Sequence, residues 1–237
     1  MIELNKQTLL NDLKEKFKTI KLNSNVKQIE IKETIIKNEE DLSNALDKCL
    51  HDKYSDIDIL IRYVNKPIIK LGDIGVNKEN ILGIKLENND DSYVVRLLEK
   101  NGVRYDIVLF DIDNTTIEKE IDEIDKKELF VAIMALGKLM RKDYLISAHL
   151  AHMLCMDSLV YQMKDRDKKH NTSFHRYGYK EDLLYLNAYN KVNKTYLTDD
   201  ETYNHIAKLL ISGIETLPNI KEHDKKVFYE IWDYYLK

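Results

Sequence analysis

Only two of the 237 residues are cysteine, Cys49 and Cys155, and no CxxC pairing brings them together. Their scarcity argues against both a disulfide framework and a zinc site, and leaves two reduced thiols. Long apolar runs are missing as well. None approaches the roughly 20 residues needed to cross a bilayer, and residues 1–21 contain neither an apolar core nor a small-residue cleavage site. The expectation is a cytoplasmic protein with no membrane partner. Nor is there an excess of positive charge. The formal net charge of -4 disfavours long nucleic acid as a partner and makes a small substrate easier to accept.

What is present falls into two textures. Residues 2–17 place Leu4, Leu9, Leu10, Leu13 and Phe17 at near-helical spacing, which predicts an amphipathic opening helix. Residues 26–36 alternate as a partly buried strand would, and residues 41–50 return to helical spacing through Leu42, Ala45, Leu46 and Leu50. A run rich in β-branched residues at 57–64 predicts another strand. Two more, at 93–98 and 105–110, flank Asn101-Gly102, the strongest hairpin signal in the chain, and should be antiparallel neighbours. From residue 122 onward the texture is helical, around 130–161, 180–190, 201–215 and 224–235. The expected fold class is α+β: an N-terminal domain with a small mixed sheet over residues 1–120, then an all-helical domain over residues 121–237.

Asp56 and Asp58 open the strand at 57–64 two positions apart, and the period of a strand puts both carboxylates on one face. Asp106 stands near the start of a later strand, after the hairpin, where it can face the same pair. Three hard oxygen donors on rigid strands suit Mg²⁺, which keeps part of its shell for phosphate and water. Acids in that pattern point to phosphoryl transfer, because a triphosphate and three carboxylates repel one another unless divalent charge lies between them.

These residues resemble the nucleotidyltransferases of the DNA polymerase β type, and within them the antibiotic-modifying branch, above all aminoglycoside 6-adenylyltransferases and more distantly lincosamide nucleotidyltransferases. Residues 101–108, with Gly102, Arg104 and Asp106, are similar to that branch's hairpin, and residues 129–144 to the opening of its helical domain. The resemblance implies an N-terminal nucleotidyltransferase domain and a helical substrate-binding domain that closes over the acceptor. It further implies a magnesium-dependent transfer of a nucleoside monophosphate, AMP from ATP, to a hydroxyl of a small molecule such as an aminoglycoside antibiotic. Asp143 occupies the position of the family's catalytic base, and a surface Asp beside Arg141 and Lys142 is the plain alternative.

One departure stands out. Such enzymes carry a Gly-Ser pair about a dozen residues before the first Asp, where a turn and a hydroxyl receive the triphosphate at a helix N-terminus. This chain has no Gly before Gly72. Ser43 and Asn44 are the stand-ins under a shifted register, with Ser55, beside the first acid, as a further nucleotide-binding candidate. The alternative function is accordingly a catalytically degenerate, nucleotidyltransferase-like binding or regulatory protein, antitoxin-like in character. Three other features have competing readings. Residues 107–115, with Asp111 and Asp113, resemble the first motif of haloacid-dehalogenase-type phosphatases, but that fold requires further buried strands downstream. His149 and His152 read as core or interface histidines rather than metal ligands. The stretch 170–179, with Phe174, His175, Arg176, Tyr177 and Tyr179, reads as a loop packed by aromatics or as a stacking surface.

Overall fold

The computed structural model describes residues 6–49, 55–124, 126–170 and 199–236. The expected helix at 180–190 and the aromatic stretch at 171–179 lie outside the described residues. The fold is α+β, with one six-stranded mixed sheet and seven helices among the described residues. The chain separates into two compact units, one running to Phe130 and the other from Val131 to Leu236.

In the first unit, helix α1 (Lys6–Leu22) buries Leu9, Leu13, Phe17 and Ile20, the three-to-four spacing visible in the sequence. Strand β1 (Val26–Ile31) turns sharply through Lys32 and Glu33 into the short β2 (Thr34–Ile35). Both turn residues are left-handed, at φ 45° and 63°, the conformation that two-residue hairpins need at both central positions. The single strand expected over 26–36 is thus two, because the chain reverses at residues that carry no glycine or asparagine signal. Helix α2 (Glu39–Cys49) leads to β3 (Ile57–Tyr63), and two 3₁₀ turns (Leu71–Ile74, Lys78–Asn80) precede β4 (Ile81–Asn88). Strands β5 (Tyr93–Glu99) and β6 (Arg104–Phe110) close the sheet as the expected antiparallel hairpin, with Leu98 opposite Arg104. Gly102 takes φ 89° at its tip, where Val103 N–H donates to Asn101 Oδ1 at 2.9 Å.

The strand order is β2-β1-β3-β6-β5-β4. Only β3 and β6 run parallel, so the central pair joins two segments distant in sequence. One sheet face is apolar: Ile29 and Ile31, then Ile57, Ile59 and Ile61, then Tyr105, Ile107 and Leu109, all in one core with α1 and α2. The alternate positions, Asp58, Leu60 and Arg62 with Asp106 and Arg96, form the other face, as the two-residue period requires.

Helix α3 (Thr115–Ile124) adds Ile117 and Ile121 to that core. Strand β4 admits the start of α4 (Lys127–Met140) at close range, since a Cβ on Gly83 would stand 2.5 Å from Phe130 N. Ile84 N–H also donates to Lys126 O at 3.3 Å. These contacts hold the start of α4 against the sheet, and the division between units falls inside that helix.

The second unit continues α4 and adds α5 (Tyr144–His170), α6 (Asp199–Thr216) and α7 (Glu222–Leu236). The break between α4 and α5 falls at Lys142, left-handed at φ 60°, within what the periodicity presents as one run. Side-chain hydroxyls tie the helices together: Ser147 Oγ donates to Ala135 O at 2.7 Å, and Ser158 shares a 2.7 Å hydrogen bond with Thr216. No helix among the described residues is long and apolar enough to cross a membrane.

Candidate functional site

The sheet sets two of the three predicted acids, Asp58 and Asp106, side by side, and Asp56 lies just before the first of those strands. Asp58 on β3 and Asp106 on β6 are register partners across the parallel central pair, so their side chains leave the same face on adjacent strands. Asp56 lies two residues before Asp58, at the mouth of β3, with its side chain 43% exposed and its Oδ2 4.0 Å from Arg104 Nη2. Asp106 is far more enclosed, at 9% exposure. Its Oδ2 pairs with Arg96, the residue directly opposite it on β5, and its Oδ1 is buried with no hydrogen-bond partner. Arg96 also reaches Glu87 on β4, Nε to Oε2 at 2.9 Å, and Lys85 holds the other oxygen of Glu87 at 2.8 Å. A chain of alternating charge therefore runs across three strands and ends on Asp106.

Asp58 and Asp106 hold their protons more firmly than ordinary acids. Burial, and then the neighbouring charges of Asp56 and Asp58, push Asp106 up to about 6 against the pull of Arg96 and Arg104. Burial and the Asp56 charge likewise raise Asp58, opposed by Lys32 and Arg96. The sign of the effect on stability follows. An acid whose folded value is raised favours the fold while it is protonated, and that contribution disappears as pH rises through the folded value. In the absence of divalent ions the protein should lose stability between about pH 4 and pH 7, by on the order of 3 kcal/mol for Asp106. Asp106→Asn should flatten this slope and be the more stable form above pH 7; urea denaturation at a series of pH values measures both.

The donor set has the chemistry that Mg²⁺ takes: carboxylate oxygens on two adjacent strands, one of them a buried oxygen lacking any partner. As the side chains stand, however, no three His, Cys, Asp or Glu groups among the described residues are gathered closely enough to hold a metal ion. The guanidinium of Arg96 takes the second oxygen of Asp106.

The other candidates are distributed differently. Ser55 precedes Asp56 and is half-buried. Ser43 and Asn44 lie inside α2, past its first turn, rather than in a turn that could receive phosphate. The start of that helix is closed by its own residues: Asn38 Oδ1 accepts from Glu40 N–H and Asp41 N–H at 2.9 and 3.0 Å, and Asp41 Oδ2 accepts from Lys37 N–H at 2.8 Å. Glu39, Glu40 and Asp41 add negative charge to that turn, which disfavours a phosphate there. The turn that does adjoin the acids is Lys32–Glu33, immediately after the Ile31–Ile59 pair, where exposed Lys32 acts on Asp58. Counting residues back from Asp56 misses it, because the intervening helix lengthens the connection; the two consecutive left-handed residues leave no mark in composition.

Asp143 belongs to the second unit. It precedes α5, where its carbonyl accepts from Ser147 N–H at 3.0 Å, and its carboxylate faces Lys138 at 3.5 Å. Asp113, the second acid of the phosphatase-like motif, holds an Asx turn, accepting from the Thr115 N–H and hydroxyl at 3.0 and 2.7 Å. Among the described residues no strand follows β6. His149 is exposed on α5 and His152 half-buried there, its pKa lowered by burial. Burial raises both thiols, Cys155 to about 11, so neither is an activated nucleophile.

Comparison with protein-family models, curated proteins and solved structures returns no match. The functional reading rests on the residues themselves.

Proposed function

We propose that the chain is a nucleotidyltransferase of the DNA polymerase β type, moving a nucleoside monophosphate, AMP from ATP, to a hydroxyl of a small acceptor such as an aminoglycoside. The observation that carries this reading is the register of Asp58 against Asp106 on neighbouring parallel strands, with Asp56 at the mouth of the first. Asp56, Asp58 and Asp106 are the residues that would hold Mg²⁺. That ion, when bound, neutralises charge on the triphosphate and its pyrophosphate leaving group. The three carboxylates fix the position of the reacting phosphate relative to the sheet. Lys32, exposed in the turn beside Asp58, supplies a cation to the phosphates in place of Ser43 and Asn44. Asp143 is the base that the family resemblance implies for the acceptor hydroxyl.

The acidic, self-capped start of α2 favours a second reading, a degenerate member of that superfamily that binds a partner instead of turning over nucleotide. Calorimetric titration of the protein with each ribonucleoside triphosphate, with and without Mg²⁺, separates the two. The transferase reading expects one saturable, magnesium-dependent site. Heat indistinguishable from dilution for every nucleotide would leave the second reading.

A further inference from the structure

Arg96 is outside the set of acids on which the transferase reading rests, yet it pairs directly with one of them, Asp106. It stands opposite Asp106 in the β5–β6 register, with Nη1 on Asp106 Oδ2 and Nε 2.9 Å from Glu87 Oε2. Glu87 is itself held by Lys85, so the guanidinium is anchored from the β4 side and presented to Asp106 from β5. Asp106 is almost fully enclosed, and its remaining oxygen has no partner. A buried carboxylate with one oxygen on a fixed cation and the other unsatisfied is only half compensated.

A guanidinium remains charged at any pH the protein meets, so deprotonation cannot release Asp106 from it. What can release it is a ligand that supplies both a cation for the carboxylate and an anion for the guanidinium. A divalent ion chelated by a triphosphate is such a ligand: the metal satisfies Asp106, while phosphate oxygens match the planar fork of Arg96. The metal alone offers nothing to Arg96.

Resting on the transferase reading, we propose that Arg96 is a resident counter-cation that occupies Asp106 until a metal–triphosphate complex arrives, then exchanges the carboxylate for phosphate. Metal and nucleotide therefore bind interdependently at this site, and Arg96 is a positioning residue for the triphosphate. No covalent step is involved, only the exchange of one ion pair for two.

The test measures two affinities of opposite expected response. Free Mn²⁺ is titrated by electron paramagnetic resonance without nucleotide, and ATP is then titrated calorimetrically at saturating Mn²⁺. In Arg96→Gln the affinity for Mn²⁺ alone should rise about tenfold, because a competing cation has gone, while affinity for ATP should fall about tenfold. Arg96→Lys keeps a cation but loses the fork, and should show both changes to a smaller degree; it carries the test should Arg96→Gln fail to fold. A purely structural role for Arg96 would weaken both affinities together, and that result, or no change in either, overturns the proposal. If the wild type takes up ATP with metal but the variants move both affinities the same way, only the role of Arg96 falls. If neither wild type nor variant binds Mn²⁺ or ATP, the transferase reading falls with it.

Discussion

Glu99→Ala and Lys16→Ala will each destabilise the sheet-bearing unit by about 3–5 kcal/mol, the cost of leaving one charge of a buried pair alone. Lys16 on α1 and Glu99 at the end of β5 meet at 2.5 Å with both side chains only 4% exposed. Lys16 also donates to Gly75 O at 3.1 Å and lies 4.8 Å above the Tyr105 ring, while Asn101 Nδ2 donates to the other oxygen of Glu99 at 3.3 Å. Asp12 completes the cluster, accepting from the Tyr105 hydroxyl and standing 3.7 Å from Lys16. One network therefore fastens α1, the 3₁₀ turn at Leu71–Ile74 and the β5–β6 hairpin together from the helix-covered side. The double change Lys16→Met with Glu99→Leu removes both charges and should recover most of the loss, because a packed apolar pair escapes the desolvation penalty. Chemical denaturation of the four proteins measures the loss and the recovery; single variants within about 1 kcal/mol of wild type would contradict the assignment.

Asp58→Asn carries the largest expected effect on function. It keeps the shape of the side chain and removes one charge from the centre of the acid set, beside Asp106 on the adjacent strand. Turnover should fall roughly 10²- to 10³-fold, the range for removing one preorganised electrostatic group from a transition state. The fold should be unharmed, because the Asp58 carboxyl is already strained by burial and by Asp56. Pyrophosphate release, together with a denaturation midpoint, measures both. Equal turnover in wild type and variant would remove Asp58 from the chemistry.

The parts of this architecture that could be read from sequence are those governed by local rules. The alternation through Ile57, Ile59 and Ile61 puts Asp58 on the opposite face of β3, and Asn101-Gly102 marks the β5–β6 hairpin and so the position of Asp106. Helix periodicity places α2, α6 and α7 to within about two residues, while α1 continues to Leu22, past the expected end at Phe17. What stayed hidden depends on pairing between distant segments. Arg96 is an ordinary strand residue until register sets it opposite Asp106, and Glu87 joins only because β4 pairs with β5. Strand β4 itself carries no such local signal. Its Gly83 reads as a weak point in a strand, and only the approach of Phe130 explains it. The Lys32–Glu33 turn was missed for the same kind of reason, since its left-handed backbone is imposed by strand pairing on residues that do not favour it. Ser43 and Asn44 stand about a dozen residues before Asp56 along the chain, but helix α2 takes up that separation.

The central claim is that the carboxylates of Asp56, Asp58 and Asp106 form a divalent-ion site that receives a nucleoside triphosphate. Calorimetric titration of the wild type with ATP, in Mg²⁺ and again in chelator, tests it most directly. The predicted result is a single binding event that is present with Mg²⁺ and gone in chelator. Binding that is equally strong in both, or no binding of any nucleotide in either, would contradict it.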